Sequence, residues 1–393
     1  MPDEISFETL CAHAGDNVAA PGSAVAPELH LASVFGSPSL DITDRALSGE
    51  PGIYVYSRDA NPTVAALERA VAALDAADAA VATASGMAAI SAVFLALLKP
   101  GDRVLVAREL YGATVALLEG PLAKFGIETD AAEVTDTESF ERAMRAETKM
   151  VFVETVSNPL MRVADVPALA AIAHARGALL VVDASFTSPA ISRPIVQGAD
   201  LVVHSATKYL GGHSDVMAGI VTGGDALIAD IRGVRKLFGP TCSPMDAWLT
   251  LRGIKTLPMR MARHSANASG AAEFLSRHPK VCAVYHAGLP DETQHKLARK
   301  LMPGGMGGML AFEIDGGRAA VERLLGALTM IRFAASFADV TTTVSHPGIT
   351  SHRGFSAAER AALGISDGLV RLSAGIESLN DICADLERGL AAV

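Results

Sequence analysis

The sequence predicts an α/β fold, with a mostly parallel sheet covered by helices on both faces and a smaller α+β domain after it. Short runs that are apolar at almost every position alternate with helical patterns, which is typical of strands buried on both faces of a parallel sheet. These runs are residues 103–107, 149–154, 178–183, 200–205 and 218–223. Two later β-rich runs, 308–314 and 369–376, indicate the smaller domain. The chain of 393 residues is also too long for one simple core.

Helical patterns fill the intervals between these strands. The first begins near Thr63, with Asn61 as a candidate cap and Pro62 at the first helical position. Residues 166–177 are predicted to form a helix that ends at a glycine, and residues 245–280 a long helix. These helices supply the cover that the parallel sheet needs.

The chain divides into three predicted units. Residues 1–55 carry Pro, Gly and Ser at irregular spacing and are predicted to form an extended N-terminal arm. Residues 56–250 form the large α/β unit, and residues 251–393 form the smaller α+β unit.

Composition and charge exclude several classes of partner. The net charge is −10 and no block of Lys and Arg stands out, so we predict no nucleic acid. The longest apolar stretch, residues 88–98, has 11 residues and is too short to cross a bilayer, so we predict no membrane. The N-terminus lacks the features of a signal peptide. The cysteines lack metal-ligand spacing, which predicts no metal and a reducing, cytoplasmic location; they are Cys11, Cys242, Cys282 and Cys383.

Polar groups at the ends of predicted strands mark the candidate site. In open α/β sheets, ligands bind outside the carboxyl ends of the strands. Three such groups lie there, namely residues 154–158, Asp183 and residues 205–208.

Lys208 is the first candidate, in the stretch LVVHSATKYLGG over residues 201–212. A buried lysine amine becomes nucleophilic and forms imines with carbonyls, and the alternative is a solvated surface lysine. Asp183 ends the apolar run ALLVVD, where an ionised carboxylate needs a positive partner, and the alternative is a helix cap. An imine-forming lysine beside an acid that pairs with a protonated pyridine nitrogen indicates a pyridoxal phosphate site.

A phosphate-binding cradle is indicated at the start of a helix. Gly86 and Met87 follow Ser85 in ASGMAAI, where free backbone N–H groups and the positive dipole end attract an anion. The hydroxyls of Ser205 and Thr207 are further donors. The alternative is an ordinary helix start.

Three further places offer suitable side chains. Tyr56 and Arg58, in YVYSRDANPT, carry a phenol and a guanidinium that bind phosphate well. Tyr111, in ELYGAT, has a ring suited to lie flat against an aromatic cofactor. Arg371 lies among apolar residues and must find an anion, for which a substrate α-carboxylate would serve. The alternative for Tyr56 and Arg58 is a surface hairpin. The alternative for Tyr111 is a core tyrosine, and that for Arg371 is an internal ion pair.

Several of these motifs occur in the order seen in one enzyme family. YVYSRDANPT, ASGMAAI, LYGAT, ETVSNPL, VVDASFTSP, HSATKYLGGHSD, SPMDAWLTLRGIKTL and LVRLSAGIE resemble the trans-sulfuration, or Cys/Met-metabolism, family of pyridoxal 5'-phosphate (PLP) enzymes. The resemblance extends from about residue 6 to 390. It implies the PLP-dependent fold type I, which is aspartate-aminotransferase-like and agrees with the pattern of strands and helices.

The resemblance also implies roles in cofactor binding and catalysis. Lys208 resembles the Schiff-base lysine that also moves protons, and Asp183 the partner of the pyridine nitrogen. Tyr111 resembles the ring that stacks on the cofactor and helps to transfer a proton to the leaving group. The phosphate would be held by Gly86, Met87, Ser205 and Thr207.

Further residues resemble those that bind the substrate and the neighbouring subunit. Asn158, Ser336 and Arg371 match the groups around the cofactor oxygen and the substrate carboxylate. Tyr56 and Arg58 match a pair that reaches the phosphate of the neighbouring subunit, which the N-terminal arm also contacts. The resemblance therefore implies a homotetramer built as a dimer of dimers.

The chain departs from the family pattern at a few positions. Ala184 follows Asp183 where the family often has asparagine. Ala113 stands where methionine γ-lyases usually carry cysteine, and no glutamate lies near Thr341, where cystathionine-directed enzymes often have one. Glu28 and His30 stand where neutral residues are more frequent, and they either tune the substrate or are solvated residues of the arm.

The leading hypothesis is a carbon–sulfur lyase that acts on a small amino acid such as methionine, homocysteine or cystathionine, by α,γ- or α,β-elimination. The alternative is γ-replacement, by an O-acylhomoserine sulfhydrylase or cystathionine γ-synthase. An aminotransferase and a non-catalytic homologue are the remaining hypotheses.

Overall fold

Two sheets organise the chain. The computed structural model describes residues 5–16, 24–290 and 294–393. The strands are β1 (Ala79–Thr83), β2 (Arg103–Ala107), β3 (Glu128–Ala132), β4 (Thr148–Glu154), β5 (Leu179–Asp183), β6 (Leu201–Ser205), β7 (Gly219–Gly223), β8 (Val281–Tyr285), β9 (Met309–Ile314), β10 (Arg332–Phe333), β11 (Thr343–Ser345) and β12 (Leu369–Ser373).

The α-helices of the described residues follow in chain order. They are α1 (Phe7–Ala12), α2 (Leu40–Leu47), α3 (Pro62–Asp75), α4 (Gly86–Leu97), α5 (Gly112–Leu117), α6 (Thr137–Ala143), α7 (Val166–Ala175), α8 (Ser188–Ile191), α9 (Asp225–Phe238), α10 (Pro244–Ile254), α11 (Leu257–Ser276), α12 (His295–Leu301), α13 (Gly317–Ala327), α14 (Ala357–Ala362) and α15 (Leu379–Ala391).

The large sheet has seven strands in the order β1-β7-β6-β5-β4-β2-β3. The pairs from β6 through β5, β4 and β2 to β3 are parallel, which confirms the prediction of a mostly parallel sheet. Strand β7 runs antiparallel to β6 and to β1. Only residues 206–218, without a helix, connect β6 to β7, and a parallel neighbour needs a longer crossover. Strands β1 and β3 were not predicted.

Alternation of side chains explains why the central strands are apolar throughout. In β4, Met150 and Phe152 pack into one hydrophobic cluster, whereas Val151 and Val153 pack into another on the opposite face. Each face of the sheet is covered by helices, so neither set of side chains reaches solvent.

The smaller sheet forms the predicted α+β unit. Its five strands have the order β10-β11-β12-β9-β8. Apolar side chains of this sheet, such as Leu310 and Phe312, share a buried cluster with Ala271 of α11 and Leu386 of α15. The C-terminal unit therefore has a core of its own.

Two predictions about local structure were wrong. The first 55 residues are not uniformly extended, because α1 packs with Cys11 fully buried and α2 follows. Residues 245–280 form two helices, α10 and α11, that are separated at Lys255 and Thr256. Pro258 lies in the first turn of α11, and its missing N–H would break a continuous helix there.

Two other kinds of feature are absent from the described ranges. No helix there is long and apolar enough to cross a membrane. No group of three or more His, Cys, Asp or Glu side chains in those ranges is arranged to hold a metal ion.

Candidate active site

The predicted strand-end groups meet at one edge of the large sheet. Glu154, Asp183 and Ser205 are the last residues of β4, β5 and β6, which are adjacent and parallel. Glu154 and Asp183 are direct partners in the register of these strands. The carboxyl edge of the sheet thus carries two acids next to the segment that contains Lys208.

Lys208 lies within a contact network that joins the two sheets. Its Nζ donates a hydrogen bond to Ser336 Oγ at 2.7 Å and lies 4.5 Å from the centre of the Phe337 ring. Burial, together with the nearby charge of Arg371, lowers the pKa of Lys208 to about 8. The neutral amine is therefore far more available near neutral pH than for an ordinary lysine, which suits a nucleophile or a base.

Arg371 lies on β12 with only 4% of its surface exposed. Its Nη1 donates to Asn158 Oδ1 at 2.9 Å, and its Nη2 donates to the Ser336 carbonyl at 3.3 Å. Burial lowers its pKa to about 10, so it stays charged at neutral pH. The structure thus brings Lys208, Ser336, Asn158 and Arg371 together. A guanidinium has five N–H donors, and the bonds to Asn158 and Ser336 use two of them. The remaining three can bind a carboxylate.

Asp183 carries a carboxylate that forms no ion pair within the part of the chain that the structure describes. Its Oδ1 accepts the Ser185 backbone N–H at 2.9 Å, and Ser185 Oγ in turn accepts the Ser205 N–H at 2.7 Å. Burial raises the pKa of Asp183, although the hydrogen bonds from Ser185 oppose this effect. No ion pair to Asp183 forms among residues 5–16, 24–290 and 294–393. A protonated ring nitrogen would supply the missing positive charge.

The start of α4 lies directly against Ser205. Ser85 caps this helix, with its Oγ accepting the Ala88 N–H at 3.1 Å. The backbone N–H groups of Gly86 and Met87 lie before the first hydrogen bond of the helix, so neither has a partner within it. A Cβ atom on Gly86 would lie 2.8 Å from Ser205 Cβ, so only glycine leaves this space open.

Thr207 is engaged within the chain. Its Oγ1 accepts the Ala218 N–H at 3.0 Å and donates to the Ala218 carbonyl at 3.3 Å. The second bond is long, so the hydroxyl proton can be redirected to a phosphate at small cost.

Together these groups fit PLP. The buried amine of Lys208 suits the cofactor aldehyde, and the carboxylate of Asp183 suits the pyridine nitrogen. The open helix start at Gly86 and Met87, with Ser205, suits a phosphate.

Glu154 is a site residue to which the sequence reasoning assigned no role. Its Oε1 accepts the Tyr111 N–H at 2.8 Å, and its Oε2 accepts the Asn158 N–H at 3.2 Å. Burial, with a contribution from the charge of Asp183, raises the pKa of Glu154 well above its usual value. The signal was available, because Glu154 ends an apolar strand as Asp183 does. Phe337 was also missed, and nothing in its sequence context marks it.

Tyr111 is placed by its backbone, and its side chain is 39% exposed. It precedes the first turn of α5. The backbone carbonyl of Ser351 and the ring of Phe355 lie against the next residue, Gly112. The ring of Tyr111 is therefore accessible to a ligand next to a loop of the C-terminal unit.

Among the residues that the structure describes, no contact joins Tyr56 or Arg58 to this network. Tyr56 is 42% exposed, and the Arg58 guanidinium lies 5.5 Å from the centre of its ring. Glu28 and His30 form an exposed pair at 3.3 Å. The Trp248 indole N–H holds that part of the arm through the Pro27 carbonyl, at 2.9 Å.

Comparisons with known proteins identify the family of this chain. Residues 8–391 match the family described as Cys/Met metabolism PLP-dependent enzyme. O-succinylhomoserine sulfhydrylase of Pseudomonas aeruginosa is 43% identical over 388 residues, which cover 99% of this chain and 96% of the relative. L-methionine gamma-lyase of Pseudomonas putida is 42% identical, with 98% and 97% covered.

Solved structures give the same result. The structure of cystathionine gamma synthase from Xanthomonas oryzae pv. oryzae, in complex with aminoacrylate and cysteine, has a TM-score of 0.93. It is 39% identical, and the match covers 99% of this chain and 98% of that chain. The fold is thus PLP-dependent fold type I, and the cofactor is PLP. The chain belongs to the Cys/Met-metabolism, or trans-sulfuration, family of PLP-dependent enzymes.

Proposed function

We propose that the protein is a carbon–sulfur lyase of sulfur amino-acid metabolism, which eliminates the sulfur substituent of a methionine-, homocysteine- or cystathionine-like amino acid. The observation that carries this proposal is the cluster in which Lys208 and Arg371 meet at Ser336. The cluster therefore offers Lys208 to transfer a proton and Arg371 to bind a carboxylate within a single site.

Arg371 and Asn158 bind the α-carboxylate of the substrate. The guanidinium is held in place by Asn158 and by the Ser336 carbonyl, so it is oriented before the substrate arrives. A fixed fork of this kind binds a carboxylate through two parallel hydrogen bonds. The α-carbon is thereby placed near Lys208.

The cofactor is held by residues of the large sheet. Lys208 would bind it covalently, Asp183 would pair with its ring nitrogen, and Tyr111 would cover its ring. Its phosphate would be held by Gly86, Met87, Ser205 and Thr207. When bound, PLP supplies an electron sink that stabilises negative charge at the substrate α-carbon.

Lys208 and Tyr111 move the protons. Once the substrate amine has displaced it from the cofactor, the neutral amine at Lys208 Nζ would take the proton from the substrate α-carbon, and its lowered pKa suits this task. Tyr111 donates its hydroxyl proton to the departing sulfur. Ser336 holds the Lys208 amine at the site between these steps.

The surroundings of Tyr111 suit a thioether substituent. Phe355 packs beside Gly112, and the His352 ring packs at a tilt against Phe355 with ring centres 5.4 Å apart. Burial, with the nearby Arg371 and Arg360, lowers the pKa of His352 to about 4, so its ring is neutral at physiological pH. A neutral imidazole and the Phe355 ring suit contact with an apolar thioether.

The active unit extends beyond one chain in this proposal. Tyr56 and Arg58, exposed and unattached to their own site, would bind the phosphate of the neighbouring subunit, and the arm over residues 1–55 would contact that subunit. We propose a homotetramer built as a dimer of dimers. The four free cysteines support a reducing, cytoplasmic location.

An alternative is γ-replacement, by an O-acylhomoserine sulfhydrylase or cystathionine γ-synthase. Its support is the 43% identity to O-succinylhomoserine sulfhydrylase, which is close to the 42% identity to a methionine gamma-lyase. Ala113 stands where methionine γ-lyases usually carry cysteine and supports the same alternative.

A product assay on the holoenzyme separates the two functions. Methionine, homocysteine and cystathionine are supplied alone, and O-acetyl- and O-succinylhomoserine are supplied with sulfide. Oxoacid and ammonia from the sulfur substrates are expected. Homocysteine from an acylhomoserine, with little oxoacid from the others, would overturn the lyase in favour of the replacement enzyme.

A further inference from the structure

One aromatic ring lies beside both cations of the active site. Lys208 Nζ is 4.5 Å from the centre of the Phe337 ring, and the Arg371 guanidinium carbon is 5.4 Å from the same centre. A cation within about 6 Å of a ring face is attracted to the electrons of that face. The two positive charges repel each other, and the ring opposes that repulsion for both.

The ring has a fixed position. Phe186 packs against it nearly edge-on, with ring centres 4.6 Å apart, and Tyr209 lies 6.3 Å from it. The following residue, Ala338, has a φ of 71°, which residues other than glycine rarely adopt. Its N–H donates to Ser373 Oγ at 2.9 Å, which holds this turn. The chain thus retains a strained residue where it places the ring.

We propose that Phe337 is a positioning residue for Lys208, whose ring face seats the protonated amine beside Ser336 and offsets its repulsion by Arg371. This inference rests on the proposed role of Lys208 in cofactor binding and proton transfer. A base that takes a proton next to a fixed guanidinium needs a compensating attraction, or the protonated form becomes too costly. The Ser336 hydroxyl accepts one hydrogen bond from the amine, and the ring supplies a second favourable contact.

The surrounding charges determine which substitutions are informative. Arg371, from β12, is the charged group that acts on Lys208. Tyr209, Tyr111 and Glu154 act on Arg371 in turn. A change at Phe337 leaves all of these groups in place, so it isolates the effect of the ring.

The test is the rate at which the cofactor-free, full-length protein captures PLP, followed by visible absorption across a range of pH. Only the neutral amine forms the bond, so the pH midpoint of the rate reports on the Lys208 amine. Phe337→Leu removes the attraction for the ammonium, and we expect the midpoint to fall by about one pH unit. Phe337→Tyr keeps the ring and is expected to keep the midpoint.

Phe186→Leu is the matched control. It removes a ring of the same cluster that packs on Phe337, whereas the ring contacts of Lys208 and Arg371 among the described residues are to Phe337. It is expected to leave the midpoint unchanged. A midpoint that is unchanged or higher in Phe337→Leu overturns the proposal. A lower plateau rate at an unchanged midpoint shows packing alone and overturns it as well.

Two further proteins keep the test decisive. If Phe337→Leu does not fold, pentafluorophenylalanine at this position keeps the shape of the ring and reverses its electrostatic attraction, with the same expected fall in midpoint. Lys208→Ala separates this inference from the proposed function. If that variant captured PLP with the parent rate and absorption, the assigned role of Lys208 would be wrong, whatever the Phe337 variants showed.

Discussion

Arg371 and Asn158, which are 213 residues apart in the sequence, are joined by a hydrogen bond of 2.9 Å from Nη1 to Oδ1. Asn158 follows β4 of the large sheet, and Arg371 lies on β12 of the small one. The proposed carboxylate site is therefore assembled from both sheets, and neither holds it alone.

Arg371→Lys is expected to weaken substrate binding selectively. Lysine keeps the charge but cannot bond Asn158 and a carboxylate through one planar fork. We expect KM to rise roughly tenfold to a hundredfold, as for the loss of a charge-assisted hydrogen bond. PLP affinity should be unchanged, because the cofactor residues lie on the large sheet. Steady-state kinetics and a cofactor titration measure both quantities. Arg318→Lys, at an exposed pair on α13, is the control, and a parental KM in Arg371→Lys would contradict the proposed role.

Glu154→Gln is expected to disturb Tyr111 and Asn158 together. Glutamine offers one accepting oxygen where two backbone N–H groups need an acceptor, and an unpaired buried donor costs about 1–3 kcal/mol. We expect a lower Tm, a raised KM and an altered circular dichroism band of bound PLP. Glu133→Gln, at an exposed pair with Arg108, should change none of these. The interpretation fails if Glu154→Gln retains the parental KM and cofactor band.

Lys208→Met is expected to stabilise the cofactor-free protein at neutral pH. The pKa of Lys208 is lowered from 10.5 to about 8 on folding, so the folded state binds fewer protons than the unfolded state between these values. Stability from this group therefore rises with pH across that window and is lowest below pH 8. Methionine removes a penalty on the order of 1–3 kcal/mol at pH 7, and the difference from the parent should shrink toward pH 10. Denaturant unfolding across this range measures it, and a difference independent of pH would contradict the assignment.

Gly86→Ala is expected to impair cofactor binding. The added Cβ would lie 2.8 Å from Ser205 Cβ and would displace Ser205 or the first turn of α4. We expect PLP affinity to fall at least about tenfold, which corresponds to the loss of roughly one hydrogen bond to a charged group. Gly233→Ala, on α9, is the control, because a Cβ there meets nothing within 4 Å. Fluorescence titration of the cofactor-free proteins distinguishes the two, and equal affinities would exclude the proposed cradle.

The sequence predicted those parts of the site that follow from a single strand or helix. Lys208 and Asp183 stand at the ends of apolar runs, and the start of α4 has its own cap, so local pattern and chemistry sufficed. The antiparallel course of β7 and the break before α11 were missed, because each depends on how a connection or a proline fits its neighbours.

Contacts across the two sheets could not be predicted from pattern alone. Ser336 was identified only through the family resemblance, and Phe337 was not identified at all. Both residues have their roles because a turn of the C-terminal unit places them against Lys208. Ser336 is 128 residues from Lys208 in the sequence. The partners of Tyr56 and Arg58 remain a prediction, since they would belong to another copy of the chain.

Because the site is divided between two sheets, the enzyme can lose catalytic activity without losing the visible absorption of its bound cofactor. Lys208, Asp183 and Gly86 belong to one sheet and its helices, whereas Arg371 and Ser336 come from the other. Partial melting of the C-terminal unit would release the carboxylate site while the chromophore stayed attached. On heating, a preparation of this enzyme should therefore lose activity while it is still yellow.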